Sequence, residues 1–496
     1  MFKKGIVLPI VWLFVFFGAH GFIIDQQKRH NDLPTLLLVS FDGFRWDYID
    51  MYNLTNFNYL KNLGSHADYI RNSFSTVTFP NHWTIVTGLY EESHGILQNN
   101  MYDPLMNKTF NYKSPESQTI EWYGQNKQVE PIWVTNQKAG DGRRSAAEWI
   151  GANVVFQEQN IINIQYNKSK TYKQLIDEFI NLFKMEKEPI NFGAIYFDEP
   201  DHVGHYYGPY SIEMKTKLEE LDEELGYMIE QLRKHDLFDN LNLIITSDHG
   251  MDTISNKTAI FLDNYIDTSL FKAYGSRACY NIFLNQQTDL DYVYKTLKTI
   301  PNIDIYLKAD IPERFNYKKN SRIGDILLVT KIGHAVYVNK EPVNWTINNG
   351  DHGYDNNESS MHPLFIAHGP AFKKSFKTKV FNNVDIYPLM CSVLGIEPAL
   401  NNGSIANVEK MLVANQQKLM LFFIIIFSTP IFTASATGIL LCISGKSRKF
   451  IYKNSITIYK DPLLAVESKI GHFLNNTKQE KKQHYFNHSD WKRRSV

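Results

Sequence analysis

Apolar positions along the chain follow two rhythms. Leu36–Phe41 ("LLLVSF"), Phe192–Phe197 ("FGAIYF") and Leu241–Thr246 ("LNLIIT") are short, nearly continuous apolar runs rich in β-branched and aromatic residues, the pattern of strands buried on both faces. Tyr172–Phe183 and Ile212–Leu232 instead repeat apolar residues at helical spacing. Their alternation predicts an α/β fold, a mostly parallel central sheet sandwiched by helices. Such sheets bind ligands beyond the carboxyl ends of their strands. Chemistry waits there in each case: Asp42 follows the first run, Asp201 comes shortly after the second, and Asp248 with His249 closes the third.

The two ends carry a different pattern. Met1–Gly21 has Lys3 and Lys4, an apolar run from Ile6 to Phe17, and small residues at Ala19 and Gly21, the layout of a secretory signal peptide. Leu419–Ile443 is uncharged and predominantly apolar, long enough to span a bilayer with some tilt. Lys446, Arg448 and Lys449 follow at once, which places the tail in the cytoplasm. The expected layout is a signal peptide at 1–21, an extracellular domain at 22–415, a transmembrane helix at 419–443 and a cytoplasmic tail at 446–496. This is a single-pass type I protein of the cell membrane; a buried core helix is the other reading of the apolar run. The tail is basic and polar, with few large aliphatics after Leu474, and reads as unstructured against the inner leaflet.

Composition narrows the partner. The 496 residues are 43% apolar and 14% aromatic, enough for one large core or two ordinary ones. Lys+Arg and Asp+Glu balance at 52 each, and without a basic stripe there is no electrostatic reason to expect a nucleic-acid duplex. A small-molecule partner is expected. Seven N-x-Ser/Thr sequons, at Asn53, Asn107, Asn167, Asn256, Asn344, Asn357 and Asn402, predict N-glycans on an extracellular domain. Of three cysteines, Cys442 falls in the terminal apolar run, so Cys279 and Cys391 form at most one bridge.

The candidate site gathers around Asp42, Thr78, "DEPDHVGH" with Asp201 and His205 at i, i+4, "SDHG" with Asp248 and His249, and "GDHGYDN" with His352. Carboxylate oxygen and imidazole nitrogen without thiolate suit zinc better than calcium or copper. Thr78 opens "TFPNHWTIVTG", which reads as a helix despite Pro80 and the polar Asn81 and His82. For an isolated "TFPN" an N-cap threonine is the ordinary reading.

Five segments in order, "SFDGFR", "TFPNHWTIVTGLYEESHGI", "DEPDHVGHYYGP", "SDHGM" and "GDHGYDN", resemble the motifs of the ecto-nucleotide pyrophosphatase/phosphodiesterase family of the alkaline phosphatase superfamily. The likeness runs from about Leu36 to about Asn402 and is greatest to the smaller type I membrane members. The resemblance implies a hydrolase with two zinc ions, one held by Asp201, His205 and His352, the other by Asp42, Thr78, Asp248 and His249. It makes Thr78 the nucleophile, at a helix N-terminus whose partial positive charge faces a phosphate, with Pro80 tolerated because the first turn needs no amide donor. Its β-branch stiffens χ1. Two dications about 4 Å apart would clamp the attacking and leaving oxygens.

The implied reaction on a nucleotide or dinucleotide has two steps. Thr78 attacks phosphorus, and water held at the Asp201 zinc site then attacks the phosphothreonyl intermediate, releasing a nucleoside 5′-monophosphate. Asn99 matches the family asparagine that holds a non-bridging phosphate oxygen. Trp149 and Tyr166 align with family aromatics that stack on a nucleobase, and Phe79 stands beside the nucleophile to flank the pocket. Asp198 replaces the usual glutamate, and His202 stands where a small residue is usual, to supply a polar contact or be solvated. Ser255–Glu341 reads as an insertion within the domain. Two other functions stay open: a choline-type lipid phosphodiesterase on the same metals, and a catalytically silent cell-surface binding domain. A phosphomonoesterase is disfavoured, because no obvious arginine clamp or third metal site accompanies the motifs.

Overall fold

The computed structural model describes residues 33–125, 128–156, 161–340 and 349–413. The strands that matter here are β1 (Leu36–Phe41), β2 (Ser65–His66), β3 (Ser145–Glu148), β4 (Ile162–Asn163), β5 (Phe192–Phe197), β6 (Asn242–Thr246), β7 (Phe271–Ser276), β8 (Cys279–Leu284), β9 (Ile303–Leu307), β10 (Ile326–Thr330), β11 (Phe365–His368) and β12 (Phe376–Lys377). The principal helices are α1 (Thr55–Leu63), α2 (Thr78–Thr87), α3 (Tyr172–Lys184), α4 (Asp201–Tyr207), α5 (Ile212–Lys234), α6 (Leu290–Leu297) and α7 (Ile386–Leu394). The three apolar runs and both helical stretches fold as their patterns predict, with ends shifted by no more than about two residues.

Eight strands form the central sheet in the order β12-β2-β11-β6-β1-β5-β3-β4. All pairings are parallel except those of β11, which runs against β6 and β2. Successive side chains of a strand face opposite sides, and both sides are apolar here. Leu36, Leu38, Phe192, Ala194 and Ile244 pack on one face with Trp83 and Ile85 of α2 and Leu389 of α7. Leu37, Val39, Phe41, Ile195 and Ile245 pack on the other with Phe57 of α1, Phe179 of α3 and Leu225 of α5. The sandwich is therefore a mixed sheet dominated by parallel strands. Because β1, β3, β5 and β6 are parallel, their carboxyl ends open on one edge.

The stretch expected as an insertion builds its own layer. β7, β8, β10 and β9 pair antiparallel and, with α6, enclose a separate core of Phe271, Ile282, Leu297, Ile305 and Leu328. Arg322 ties this layer back to the main body. Fully buried, it donates to Asp103 Oδ2 at 2.7 Å and to the carbonyls of Gly95, Trp122 and Glu121.

Cys279 and Cys391 are buried free thiols, so the one bridge the cysteines allowed is not formed. Among the described residues no helix is long and apolar enough to cross a membrane. The expected signal peptide (1–21), transmembrane run (419–443) and tail (446–496) lie outside the described residues. Asn53, Asn107, Asn167, Asn357 and Asn402 are all exposed; Asn344 lies outside the described residues.

Candidate metal centre

The strand ends deliver the ligating residues to one place. Asp42 leaves β1, Asp248 and His249 leave β6, and Asp201 with His205 stand one turn apart on α4, just beyond β5. His352 follows the short strand Gly350–Asp351, which pairs with Asp252–Thr253. Two groups result, Asp201 with His205 and His352, and Asp42 with Asp248 and His249; within each, potential ligand atoms lie within 4.8 Å of one another. The His249 and His352 rings stack at 3.5 Å, joining the two groups. Gly43 permits this closeness. At φ +71° it adopts the left-handed region, and a Cβ there would stand 3.0 Å from the Asp201 Cα.

Thr78 is the first residue of α2, not its cap; Val77 holds the cap position. Its Oγ1 makes no capping bond and lies 3.2 Å from His249 Nε2. The polar residues after it have separate tasks. Asn81 holds the approach to the helix, donating to the carbonyls of Ser75 and Val77 while its Oδ1 accepts from Ser73 N and Oγ. His82, fully buried, lies 3.3 Å from Asp248 Oδ2 through Nδ1 and 2.9 Å from Ser40 Oγ through Nε2. Pro80 falls in the first turn, where helical amides lack partners in any case.

The donors fit metal ions. Nδ1 of His205, His352 and His249 each lies within 3.0 Å of a backbone carbonyl, of Gly350, Thr76 and Gly250 respectively. Donation to a carbonyl places the ring proton on Nδ1 and turns the Nε2 lone pair inward, the arrangement of metal-binding imidazoles. His205 Nε2 and His352 Nε2 then face each other at 3.1 Å, and each is 3.5 Å from Asp201 Oδ1. Lone pairs so opposed repel unless a cation lies between them. Asp42 Oδ1, Asp201 Oδ1 and Asp248 Oδ2 are buried oxygens without a hydrogen-bond partner, an expensive condition for carboxylates unless a cation compensates.

The ionisable groups gathered here perturb one another strongly. Burial, then the charges of Asp248 and Asp201, push the Asp42 carboxyl well above its ordinary range. Burial would also raise Asp248, but His249 and His82 outweigh it and hold Asp248 far below. Burial and the neighbouring His249 push His352 down to about 3, keeping it neutral and able to ligate. Three carboxylates crowd a space that water does not screen, and two dications would leave the net charge positive toward an anionic phosphate.

The remaining sequence candidates are distributed around this centre. Asn99 Oδ1 accepts the Phe79 amide at 2.9 Å, which fixes the side chain with its NH2 group pointing away from that bond. Phe79, partly buried, packs edge-on against Tyr112. Tyr166 is 47% exposed, and its hydroxyl donates to Asp198 Oδ2 at 2.5 Å. Trp149 differs from these two: it is buried in the core, Nε1 donating to the His82 carbonyl at 3.2 Å. An open aromatic face is therefore offered by Tyr166 and Phe79 rather than by Trp149. His202 is exposed, its Nδ1 2.9 Å from the Asp198 carbonyl, a local contact, and it belongs to neither metal-capable group.

Sequence reasoning missed Tyr196, whose hydroxyl donates to Asp42 Oδ2 at 2.6 Å and leaves Oδ1 for the centre. It sits inside the apolar run "FGAIYF", where a tyrosine reads as core. Arg277 and Asp351 were missed too. Arg277 Nε lies 2.9 Å from Asp351 Oδ2, bringing the inserted layer to the residue preceding His352. The position of Asp351 within "GDHG" was the available signal.

Comparison with known proteins gives the family of the chain. Residues 36–355 match the family described as Type I phosphodiesterase / nucleotide pyrophosphatase. The chain is 40% identical over 390 residues to human ectonucleotide pyrophosphatase/phosphodiesterase family member 5, covering 78% of each chain. It is 40% identical over 418 residues to bis(5'-adenosyl)-triphosphatase enpp4 of Mus musculus, covering 83% of this chain and 87% of that one. The structure of human ectonucleotide pyrophosphatase / phosphodiesterase 5 superposes with a TM-score of 0.73 at 40% identity, over 77% of this chain and 100% of that one. An inactive threonine-to-alanine variant of murine ectonucleotide pyrophosphatase / phosphodiesterase 5, solved in complex with AMP, superposes with a TM-score of 0.72 at 38% identity, over 76% of this chain and 100% of that one. The chain belongs to the type I phosphodiesterase/nucleotide pyrophosphatase family and is a hydrolase.

Proposed function

We propose that this hydrolase is an extracellular, zinc-dependent nucleotide pyrophosphatase/phosphodiesterase that works through a covalent threonine intermediate. The observation that carries the reading is the position of Thr78 Oγ1, 3.2 Å from His249 Nε2 where the two metal-capable groups meet. Asp201, His205 and His352 would hold one zinc, and Asp42, Asp248, His249 and Thr78 the other. Bound there, the ions would supply charge neutralisation and would lower the pKa of the threonine hydroxyl.

The chain's own groups perform the rest. Thr78 Oγ attacks phosphorus while the bond to the leaving oxygen breaks; water entering from the vacated side cleaves the phosphothreonyl ester, and two inversions retain configuration. The Asn99 amide donates to a non-bridging oxygen and the partial positive charge of the α2 N-terminus faces it, stabilising charge that grows in the transition state. Tyr166 and Phe79 receive the nucleobase, with Trp149 packed behind the helix. The layout drawn from the sequence completes the proposal: a cleaved signal peptide at 1–21, a glycosylated catalytic domain at 22–415, one membrane span at 419–443 and a cytoplasmic tail at 446–496.

The test is product analysis on ATP, NAD, a diadenosine polyphosphate and a choline phosphodiester, with and without a zinc chelator, beside Thr78→Ala. Chelator-sensitive, Thr78-dependent release of nucleoside monophosphate is expected. Cleavage of the choline ester alone would move the chain to the lipid class, and two bound zincs without turnover would make it a binding protein.

A further inference from the structure

Asp198 immediately follows β5 and stands three residues before Asp201 of the metal centre. Both its oxygens are taken by phenols: Oδ2 by Tyr166 at 2.5 Å and Oδ1 by Tyr172 at 2.6 Å. Tyr172 is a fixed point. It is the first residue of α3, behind a complete capping box at Thr171, and its ring packs on Phe197 with centroids 4.3 Å apart. Tyr166 is the reverse, an exposed ring on an irregular segment after β4. It makes the bond to Asp198 and a loose approach, centroids 6.4 Å apart, to Tyr196, the residue that holds Asp42. Burial alone would raise the Asp198 carboxyl, but the hydrogen bonds from Tyr166 and Tyr172 outweigh it and keep it ionised below its ordinary range. A phenol donating to a carboxylate makes a strong, directional bond.

We propose that Asp198 is a positioning residue for substrate selection: by anchoring the Tyr166 hydroxyl to the rigid Tyr172 pillar, it holds the Tyr166 ring at the edge of the metal centre, ready to stack on a nucleobase. The inference rests on the reading of Tyr166 as a base-stacking residue. Without the anchor the ring must be immobilised when substrate binds, which weakens capture of the base-bearing half and leaves phosphoryl chemistry untouched. The ring itself remains in Tyr166→Phe, so this variant removes the anchor and nothing else. Asp198→Ala removes it from the other side, and Asp198→Glu retains a carboxylate acceptor.

The experiment compares kcat/KM for a nucleoside 5′-monophosphate 4-nitrophenyl ester with that for methyl 4-nitrophenyl phosphate, which has no base. In Tyr166→Phe and in Asp198→Ala the ratio of the two should fall about 3- to 10-fold, carried by the KM of the nucleotide ester. The double variant should fall no further than either single one, and Asp198→Glu should recover most of the ratio. An unchanged ratio in Tyr166→Phe, or effects that multiply in the double variant, would overturn the role of Asp198. Tyr166→Ala separates the two levels. If it lowers the ratio while Tyr166→Phe does not, stacking stands and the anchor falls; if it leaves the ratio unchanged, the stacking reading itself falls.

Discussion

Burial of His94 behind α2 sets a pH limit on the stability of the fold. The residue ends the short helix Glu91–His94 and is fully buried. Its Nδ1 accepts the Ile96 amide at 3.1 Å and its Nε2 lies 3.0 Å from Thr84 Oγ1 on α2, so the ring is neutral with its proton on Nε2. Protonating Nδ1 would set two donors against each other. Burial first, and the charge of Arg322 second, push its pKa from an ordinary 6.5 down to about 3. Between those values the unfolded chain binds a proton that the folded chain refuses, so stability rises with pH. The contribution is complete above the unfolded pKa and is lost progressively as pH falls toward the folded one. At about 1.36 kcal/mol per unit, moving from about pH 6.5 to pH 5 removes about 2 kcal/mol.

Other groups titrate in the same region. Burial raises the Glu91 carboxyl well above its ordinary value, so its contribution has the opposite sign, present in acid and lost as pH rises. Metal ligands lose affinity in acid. Both terms are common to wild type and to His94→Asn, whose side-chain oxygen can still accept the Ile96 amide. Urea midpoints of the two proteins at about pH 7.5 and pH 5, with zinc in excess, isolate the histidine. The variant should lose about 2 kcal/mol less than wild type on acidification. Losses equal within about 0.5 kcal/mol would refute the reasoning, since a histidine protonated in both states cannot generate the slope.

Arg322→Met should destabilise the chain by about 3–5 kcal/mol, because it strands the buried Asp103 carboxylate and removes the pin on the inserted layer; a denaturation midpoint shifted by less than about 1 kcal/mol would contradict this. His202→Ala should leave the metal content of the protein unchanged, since its ring turns to the Asp198 carbonyl; elemental analysis showing less metal than wild type would make it a ligand.

What the sequence made legible follows from local physics. A strand buried on both faces must be apolar at every position, so β1, β5 and β6 announce themselves. Carboxylates and histidines directly after such strands stand out, because nothing in a core requires them. What stayed hidden depends on partners distant in sequence. The direction of β11 cannot be read from "FIAH", since antiparallel and parallel strands share the same apolar pattern. Helix α1 lacks a capping side chain of its own; Asp222 of α5 accepts the amides of Asn56 and Phe57, each at 2.9 Å. Tyr196 was concealed for the same reason, its ring satisfying the strand while its hydroxyl serves Asp42.

The placement of Asp42 also explains why a centre so unfavourable in isolation is built into the sheet edge. Ordinary folding would avoid three carboxylates in one buried space. Two of them are nonetheless held by groups that do not face the centre: Tyr196 on Asp42 Oδ2, and the Gly43 amide on Asp248 Oδ1 at 3.1 Å. The supports satisfy one oxygen of Asp42 and one of Asp248 and leave the other bare, and they come from backbone and side chains locked in the core. Relaxation by rotating a carboxylate outward would break those bonds, so the unpartnered oxygens are relieved either by a proton, as the raised Asp42 carboxyl indicates, or by a cation arriving between them. The same rigidity holds Thr78 at the first position of a helix whose approach is tied by Asn81. The fold thus fixes the Thr78 hydroxyl beside the two metal-capable groups before anything binds, and a preset arrangement of this kind is the condition for electrostatic catalysis without reorganisation.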